Sequence, residues 1–257
     1  MRILYPSDYF KPKLPDEQYR DEASAFGGTG VSYSTVNTDE LSSANLNPPP
    51  IPGEDILYRG WMLNSTSYEQ LVAAIEKVEA TPITDLVTYL STHHLPNWYQ
   101  LLQEFTAETI ILPLEADFEG ELRSLAWPRF FIKDYVKSLK TSVGSVVSEP
   151  SEINVLLQEM EKFRGEIEGG ICVRRFEEFQ PESECRYFVV RGVPFSPSDS
   201  DIPDVVSECA KRIESPFFSV DIAKRSDGVD RVVEIGDGQV SDLVGWSVER
   251  FVQVMEG

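Results

Sequence analysis

The chain has 257 residues, 41% hydrophobic and 11% aromatic, which is ample for a packed core in one large or two small domains. Its formal charge of −20 offers no general field for nucleic acid or an anionic membrane, so any polyanion must be held by a local group of cations. No apolar run approaches the roughly 20 residues of a membrane span, and the opening "MRILYPSDYF" lacks the succession of a signal peptide. The expectation is a cytoplasmic protein with no nucleic-acid or membrane partner. The three cysteines, Cys172, Cys185 and Cys209, show no C-x-x-C spacing and read as reduced core thiols.

In chain order, "MRILYP" predicts a short strand, and a polar, glycine-containing stretch ending in prolines follows it, with one strand near 31–36. "DILYRGWM" predicts a second strand. Ser67 and Gln70 have capping-box spacing at the start of the helix "SYEQLVAAIEKVEA", and a helix-rich segment runs to about residue 105. "ETIILPL" and "RFFIKDYVK" predict strands, and "EINVLLQEMEKFRGEI" an amphipathic helix. "GGICVRRFEEF" and "ECRYFVVRG" are strands around a proline-containing loop, followed by the helix "DVVSECAKRIES", two β-rich runs joined at Asp227-Gly228, and a last helix "GWSVERFVQVMEG". Such a mixture implies an α/β or α+β fold.

An Asp-Gly pair between strands signals a two-residue hairpin turn, which would set Asp221 directly opposite Glu234. Opposed carboxylates repel and call for a cation, or else belong to an acidic exposed surface. Alternation along "FFIKDYVK" puts Lys133, Tyr135 and Lys137 on one face; the plain alternative is a pair of solvated lysines on an edge strand. In "ECRYFVVRG", Glu184, Arg186 and Phe188 share a face, as ligands or as a surface Glu-Arg pair. Arg59, in the apolar and aromatic "LYRGWM", faces a cleft as a carboxylate or phosphate contact, or else forms a structural ion pair. His93 and His94 are adjacent, point to different helix faces and do not read as a metal pair.

These elements, in this order and spacing over 109–241, resemble the ATP-grasp superfamily, and most closely its compact ligases related to those that add glutamate to protein tails. Within these, the chain is similar to a small clade defined by one arginine and two lysines; "ILYPSDYF", "LYRGWM" and "HHLPNWY" extend the likeness into the first half. The resemblance implies two α+β subdomains holding ATP, at 108–175 and 176–257, after a smaller N-terminal domain at 1–107. It implies that Lys133, and with it Lys137, reach the phosphates of ATP. Arg175 and Phe176 would lie at the adenine edge and Glu178 near the ribose. Arg186, beside Glu184, would meet the transferred phosphate. Asp221 and Glu234 become ligands of Mg²⁺. The family's usual third ligand is an asparagine two residues after the glutamate; Gly236 stands there, and Asp237 beside it could supply the oxygen.

The implied activity is an ATP- and Mg-dependent carboxylate-amine ligase that forms an amide or peptide bond through an acyl phosphate. The alternative is a catalytically inactive nucleotide-binding or protein-interaction module. Substrate choice is expected in loops 27–52 and 142–151.

Overall fold

A computed structural model describes residues 1–138, 144–164, 167–198 and 200–257. Ser142 and Val143 of the second predicted substrate loop, and Gly165 and Glu166 of the predicted amphipathic helix, lie outside the described residues. The strands are β1 (Arg2–Pro6), β2 (Tyr33–Val36), β3 (Asp55–Tyr58), β4 (Thr81–Pro82), β5 (Thr109–Leu112), β6 (Phe130–Asp134), β7 (Val146–Val147), β8 (Ile171–Arg175), β9 (Cys185–Val190), β10 (Val193–Phe195), β11 (Phe217–Lys224) and β12 (Asp230–Asp237). The helices are α1 (Arg20–Gly28), α2 (Ser65–Glu76), α3 (Leu86–His93), α4 (Leu95–Leu102), α5 (Phe118–Leu125), α6 (Ile153–Arg164), α7 (Asp204–Arg212) and α8 (Val248–Glu256). The fold is mixed α and β, as the sequence pattern implied, and no helix of the described residues is long and apolar enough to cross a membrane.

Contacts divide the chain into two compact units, one of residues 1–92, 185–220 and 236–257, the other of 93–184 and 221–235. This grouping does not follow a single cut between 107 and 108, because β11 and β12 each pass from one unit to the other.

In the first unit a parallel sheet runs in the order β2-β1-β3-β4. Every residue of β1 is buried, the expected state of a parallel strand covered on both faces. Leu4, Ile56 and Tyr58 pack with Leu71 and Ile75 of α2, while Ile3, Tyr5 and Leu57 pack with Phe26 of α1 and Phe251 of α8.

The second unit is built on the antiparallel sheet β5-β8-β6-β7. In its central ladder Ile132 pairs with Val173, Lys133 with Cys172 and Phe131 with Arg174. The two-residue period splits these strands. Phe130, Ile132, Ile171 and Val173 join a core with Leu122 of α5 and Ile153, Leu157 and Met160 of α6. Phe131, Lys133, Cys172 and Arg174 therefore occupy the other face.

Four local expectations are corrected. The N-cap of α2 is Asn64, whose side chain accepts the Ser67 N–H, rather than Ser67 itself. Strand β6 stops at Asp134, because its carboxylate takes the N–H groups of Val136 and Lys137 and closes a turn, so Lys137 does not continue the strand face of Lys133. Helix α5, capped by Asp117, falls in "FEGELRSL", where Gly120 and the sparse apolar residues masked the helical period. At the hairpin the loop has three residues: the Arg225 N–H donates to the Val229 carbonyl, and the Gly228 N–H to the Arg225 carbonyl. Gly228, at φ +90°, takes the left-handed position that ends such a loop. Arg225 thus faces Val229, and Lys224 Nζ meets Asp230 at 2.6 Å.

Replacement of the cap distinguishes the two assignments for α2. Asn64→Ala should lower stability in urea by about 1 kcal/mol, while Ser67→Ala should change it by less than about 0.5 kcal/mol.

Candidate active site

The polar face of the β6-β8 ladder holds Lys133, Cys172 and Arg174. Lys133 leaves only 5% of its side chain exposed and places Nζ 2.7 Å from Glu234 Oε1, whose own side chain is 39% exposed. Two residues that the resemblance assigned to phosphate and metal are thereby brought together within the second unit. The β6 turn that supports Lys133 is pinned twice, since Asp134 Oδ2 also accepts the Glu168 N–H at 3.3 Å, and Glu168 Oε1 meets His94 Nε2 at 3.0 Å. Burial, followed by the charges of His94, Lys137 and Lys133, pushes the His93 imidazole down to about 3. Burial also pushes the Cys172 thiol up to about 12, so neither residue adds charge to this face at neutral pH.

Asp221 is buried in β11. Among the described residues no three His, Cys, Asp or Glu side chains converge to hold a metal. Along β12 the two-residue period breaks between Val232 and Ile235, which are both buried with half-buried Val233 and Glu234 between them.

Arg174, which the sequence reading passed over, is buried on the Lys133 face. Its Nη1 donates to the Val233 carbonyl at 2.7 Å and its Nη2 to Thr106 Oγ1 at 2.5 Å. The pairing signal was present, because Cys172 and Arg174 alternate with the apolar Ile171 and Val173.

A cavity of about 590 Å³ in the same unit is lined by Arg175, Phe176 and Glu178, together with Tyr99 and Thr106. Arg175 is exposed beside Glu108 at 3.7 Å, Arg129 stacks over the Phe176 ring at 3.9 Å, and the Glu178 carbonyl accepts the Ser226 N–H. Glu177 anchors one wall by pairing with Arg225 at 3.1 Å and Arg231 at 3.0 Å. Lys133, Asp221 and Glu234 do not line this cavity. Lys137 is exposed beyond the turn, and Glu184 is exposed just before β9.

The remaining assigned residues lie in the first unit. Arg186 is half-buried, donates from Nη1 to the Asp242 carbonyl at 2.8 Å, and accepts the Trp246 indole N–H on its own carbonyl. Asp237, the expected third metal ligand, is another of these residues. Its Oδ1 accepts from the backbone N–H and the Nε2 of Gln239, its Oδ2 accepts from Thr92 Oγ1, and the group is fully buried. A Cβ on Gly236 would come within 2.9 Å of Ser219 Oγ and 3.1 Å of Ser241 Oγ, which bond each other at 2.8 Å, so a side chain at this position would have to displace these hydroxyls. Arg59 is buried just after Tyr58, the last residue of β3. Its guanidinium meets both oxygens of Glu22, at 3.0 and 2.8 Å, and Nη1 donates to the carbonyls of Gly238, Gln239 and Ser241. Five hydrogen bonds, two of them to one carboxylate, make it a structural ion pair within this unit.

A family model described as the ATP-grasp domain of R2K clade family 3 matches residues 124–255, and the chain belongs to that family. No curated protein matches it in sequence. Among solved structures, the fold is shared with the D-cycloserine synthetase DcsG, at TM-score 0.64 and 14% identity over 100% of this chain and 99% of that one. A RimK-domain ATP-grasp protein from Sphaerobacter thermophilus superposes with TM-score 0.65 and 12% identity, covering 99% of each chain. The D-alanine-D-alanine ligase from Coxiella burnetii gives 0.65 and 11%, over 99% of this chain and 93% of its own. The fold these structures share with the chain is that of the ATP-grasp superfamily, in agreement with the family model.

Two consequences can be measured. Arg59→Met strands the Glu22 carboxylate in the core and should cost about 3–5 kcal/mol in chemical denaturation. Burial holds the Asp237 carboxyl up at about 7, against about 3.9 in an unfolded chain. The folded state therefore keeps a proton that the unfolded state has released, so this contribution to stability is full below about pH 4 and lost as pH rises to 7. Asp237→Asn should flatten that part of a pH series of urea midpoints.

Proposed function

We propose that the protein is an ATP- and Mg²⁺-dependent ligase that joins a carboxylate to an amine through an acyl phosphate, in a cytoplasmic setting. The observation that carries this reading is the Lys133-Glu234 pair: a buried ammonium and a half-exposed carboxylate at 2.7 Å, on the polar face of the sheet in the family-matched segment.

The donor set suits a hard divalent cation. Mg²⁺ is commonly bound by one or two carboxylates, with water and phosphate oxygens completing its shell. Asp221 and Glu234 are the residues that would hold it, and when bound it would neutralise charge on the phosphates. Glu234 already holds one cation, the Lys133 ammonium, in contact with its carboxylate. Lys133 binds phosphate, with Lys137 contributing from the turn beyond. Arg186 supplies a planar donor fork for the transferred group, beside Glu184. The cavity at Arg175 and Phe176 takes the adenine edge, with Glu178 towards the ribose.

In the reaction a substrate carboxylate oxygen attacks the terminal phosphorus of ATP and ADP leaves. The amine nitrogen then attacks the acyl carbon, phosphate departs, and the nitrogen loses a proton to give the amide. No step needs a covalent protein nucleophile, in keeping with a Cys172 thiol that stays protonated. The protein's task is positioning and charge neutralisation.

Purified protein with ATP and Mg²⁺ should release ADP when offered the right carboxylate and amine, from a panel of amino acids and peptides. Lys133→Met should lower that turnover on the order of 10²-fold. A panel that yields amide without ADP release, or a Lys133→Met enzyme as active as the wild type, would overturn the assignment.

A further inference from the structure

Arg174 has no part in the function proposed above, although it lies on the Lys133 face. Its surroundings are unusual for a buried guanidinium. Two of its nitrogens bond neutral acceptors, the Val233 carbonyl and the Thr106 hydroxyl, and its Nε is buried with no hydrogen-bond partner. Burying a charge on neutral acceptors, with one donor unmet, costs stability that an apolar residue would not. Burial accordingly pulls the guanidinium below its ordinary pKa, and the charge of Glu234 is the largest influence in the opposite direction.

The bonds converge on one short stretch. Thr106 Oγ1 accepts from Arg174 and donates to the Val232 carbonyl at 2.7 Å, while the Val232 N–H donates to the Phe105 carbonyl at 2.8 Å. The carbonyls of Val232 and Val233 are thus both tied, immediately before Glu234. This is also where β12 departs from its two-residue period, so regular alternation does not by itself dictate the direction of the Glu234 side chain.

We propose that Arg174 is a positioning residue, which fixes β12 at Val233 and thereby sets the Glu234 carboxylate where it can bind a divalent cation. The inference rests on the metal role proposed for Glu234 and deepens it. Arg174 itself touches neither metal nor nucleotide. Thr106 is the second half of the device, and because it also lines the cavity, it links that cavity to the Lys133-Glu234 pair through its bond to Arg174, the Arg174 bond to the Val233 carbonyl and the Val233–Glu234 peptide.

The test uses Mn²⁺ as a spectroscopic probe, with binding read by electron paramagnetic resonance in the presence of ADP, and ADP binding without metal read by calorimetry. Arg174→Met should weaken Mn²⁺ binding at least tenfold while metal-free ADP affinity stays within twofold. Thr106→Val should weaken Mn²⁺ several-fold, and Thr106→Ser, which keeps the hydroxyl, should restore it. The Thr106 pair decides the matter if Arg174→Met does not fold. A lowered melting temperature with unchanged Mn²⁺ affinity would make Arg174 merely structural and overturn the proposal, as would an equal loss of metal-free ADP binding, which would make it a nucleotide contact. Wild-type protein that binds ADP but no Mn²⁺ would remove the metal role and this inference together, whereas wild-type protein that binds neither would strike the ligase reading itself.

Discussion

The candidate site hangs on the antiparallel ladder between β6 and β8. Because side chains alternate at period two, the same pairing that buries Ile132 against Val173 in the core sets Lys133 beside Cys172 and Phe131 beside Arg174 on the opposite face. Two cations are held on one sheet face by the burial of their neighbours on the other. A one-residue slip would bury both charges among Leu122, Ile153 and Met160, so the apolar pattern and the site enforce a single register. The turn after β6 strengthens this arrangement, since Asp134 closes the chain back on itself directly behind Lys133.

Charge is handled differently in the two units. In the first, Arg59 and Glu22 form a closed structural pair, with the remaining guanidinium donors taken up by backbone carbonyls. In the second, the buried Lys133 meets a carboxylate that remains partly in water. A closed pair gives rigidity; a pair with one exposed partner can exchange that partner for a ligand.

Much of the fold was legible in the sequence, because long periodic segments and apolar strands declare themselves. The strands that carry Ile3, Ile132, Val173 and Val220, and helices α6 and α8, follow from period alone. Boundaries were harder to read where a single polar side chain decides them. Asn64 rather than Ser67 starts α2, and Asp134 ends β6 three residues before the strand pattern does. At the hairpin, Asp-Gly signals a turn but does not distinguish a two-residue loop from a three-residue loop with glycine last. Lys133 and Glu234 were found by their resemblance to a family pattern and are brought together by the structure. Arg59 and Asp237 share one ambiguity: a charged residue in an apolar strand can be directed at a ligand or at an internal partner, and only tertiary packing shows the internal bonds that both make here. Arg174 was passed over because its role lies in two backbone and hydroxyl contacts made by residues 59 and 68 positions distant in sequence.

The central claim is that the Lys133 face binds metal-nucleotide, and the most direct test is the melting temperature of the purified protein with ATP, with Mg²⁺ and with both, repeated on Asp221→Asn. Ligand that binds only the folded state adds about 2.7 kcal/mol at 100 times its dissociation constant, which a melting curve resolves readily. The account predicts a joint shift that exceeds the two separate shifts and disappears in Asp221→Asn. Equal shifts in both proteins, or none in the wild type, would contradict it.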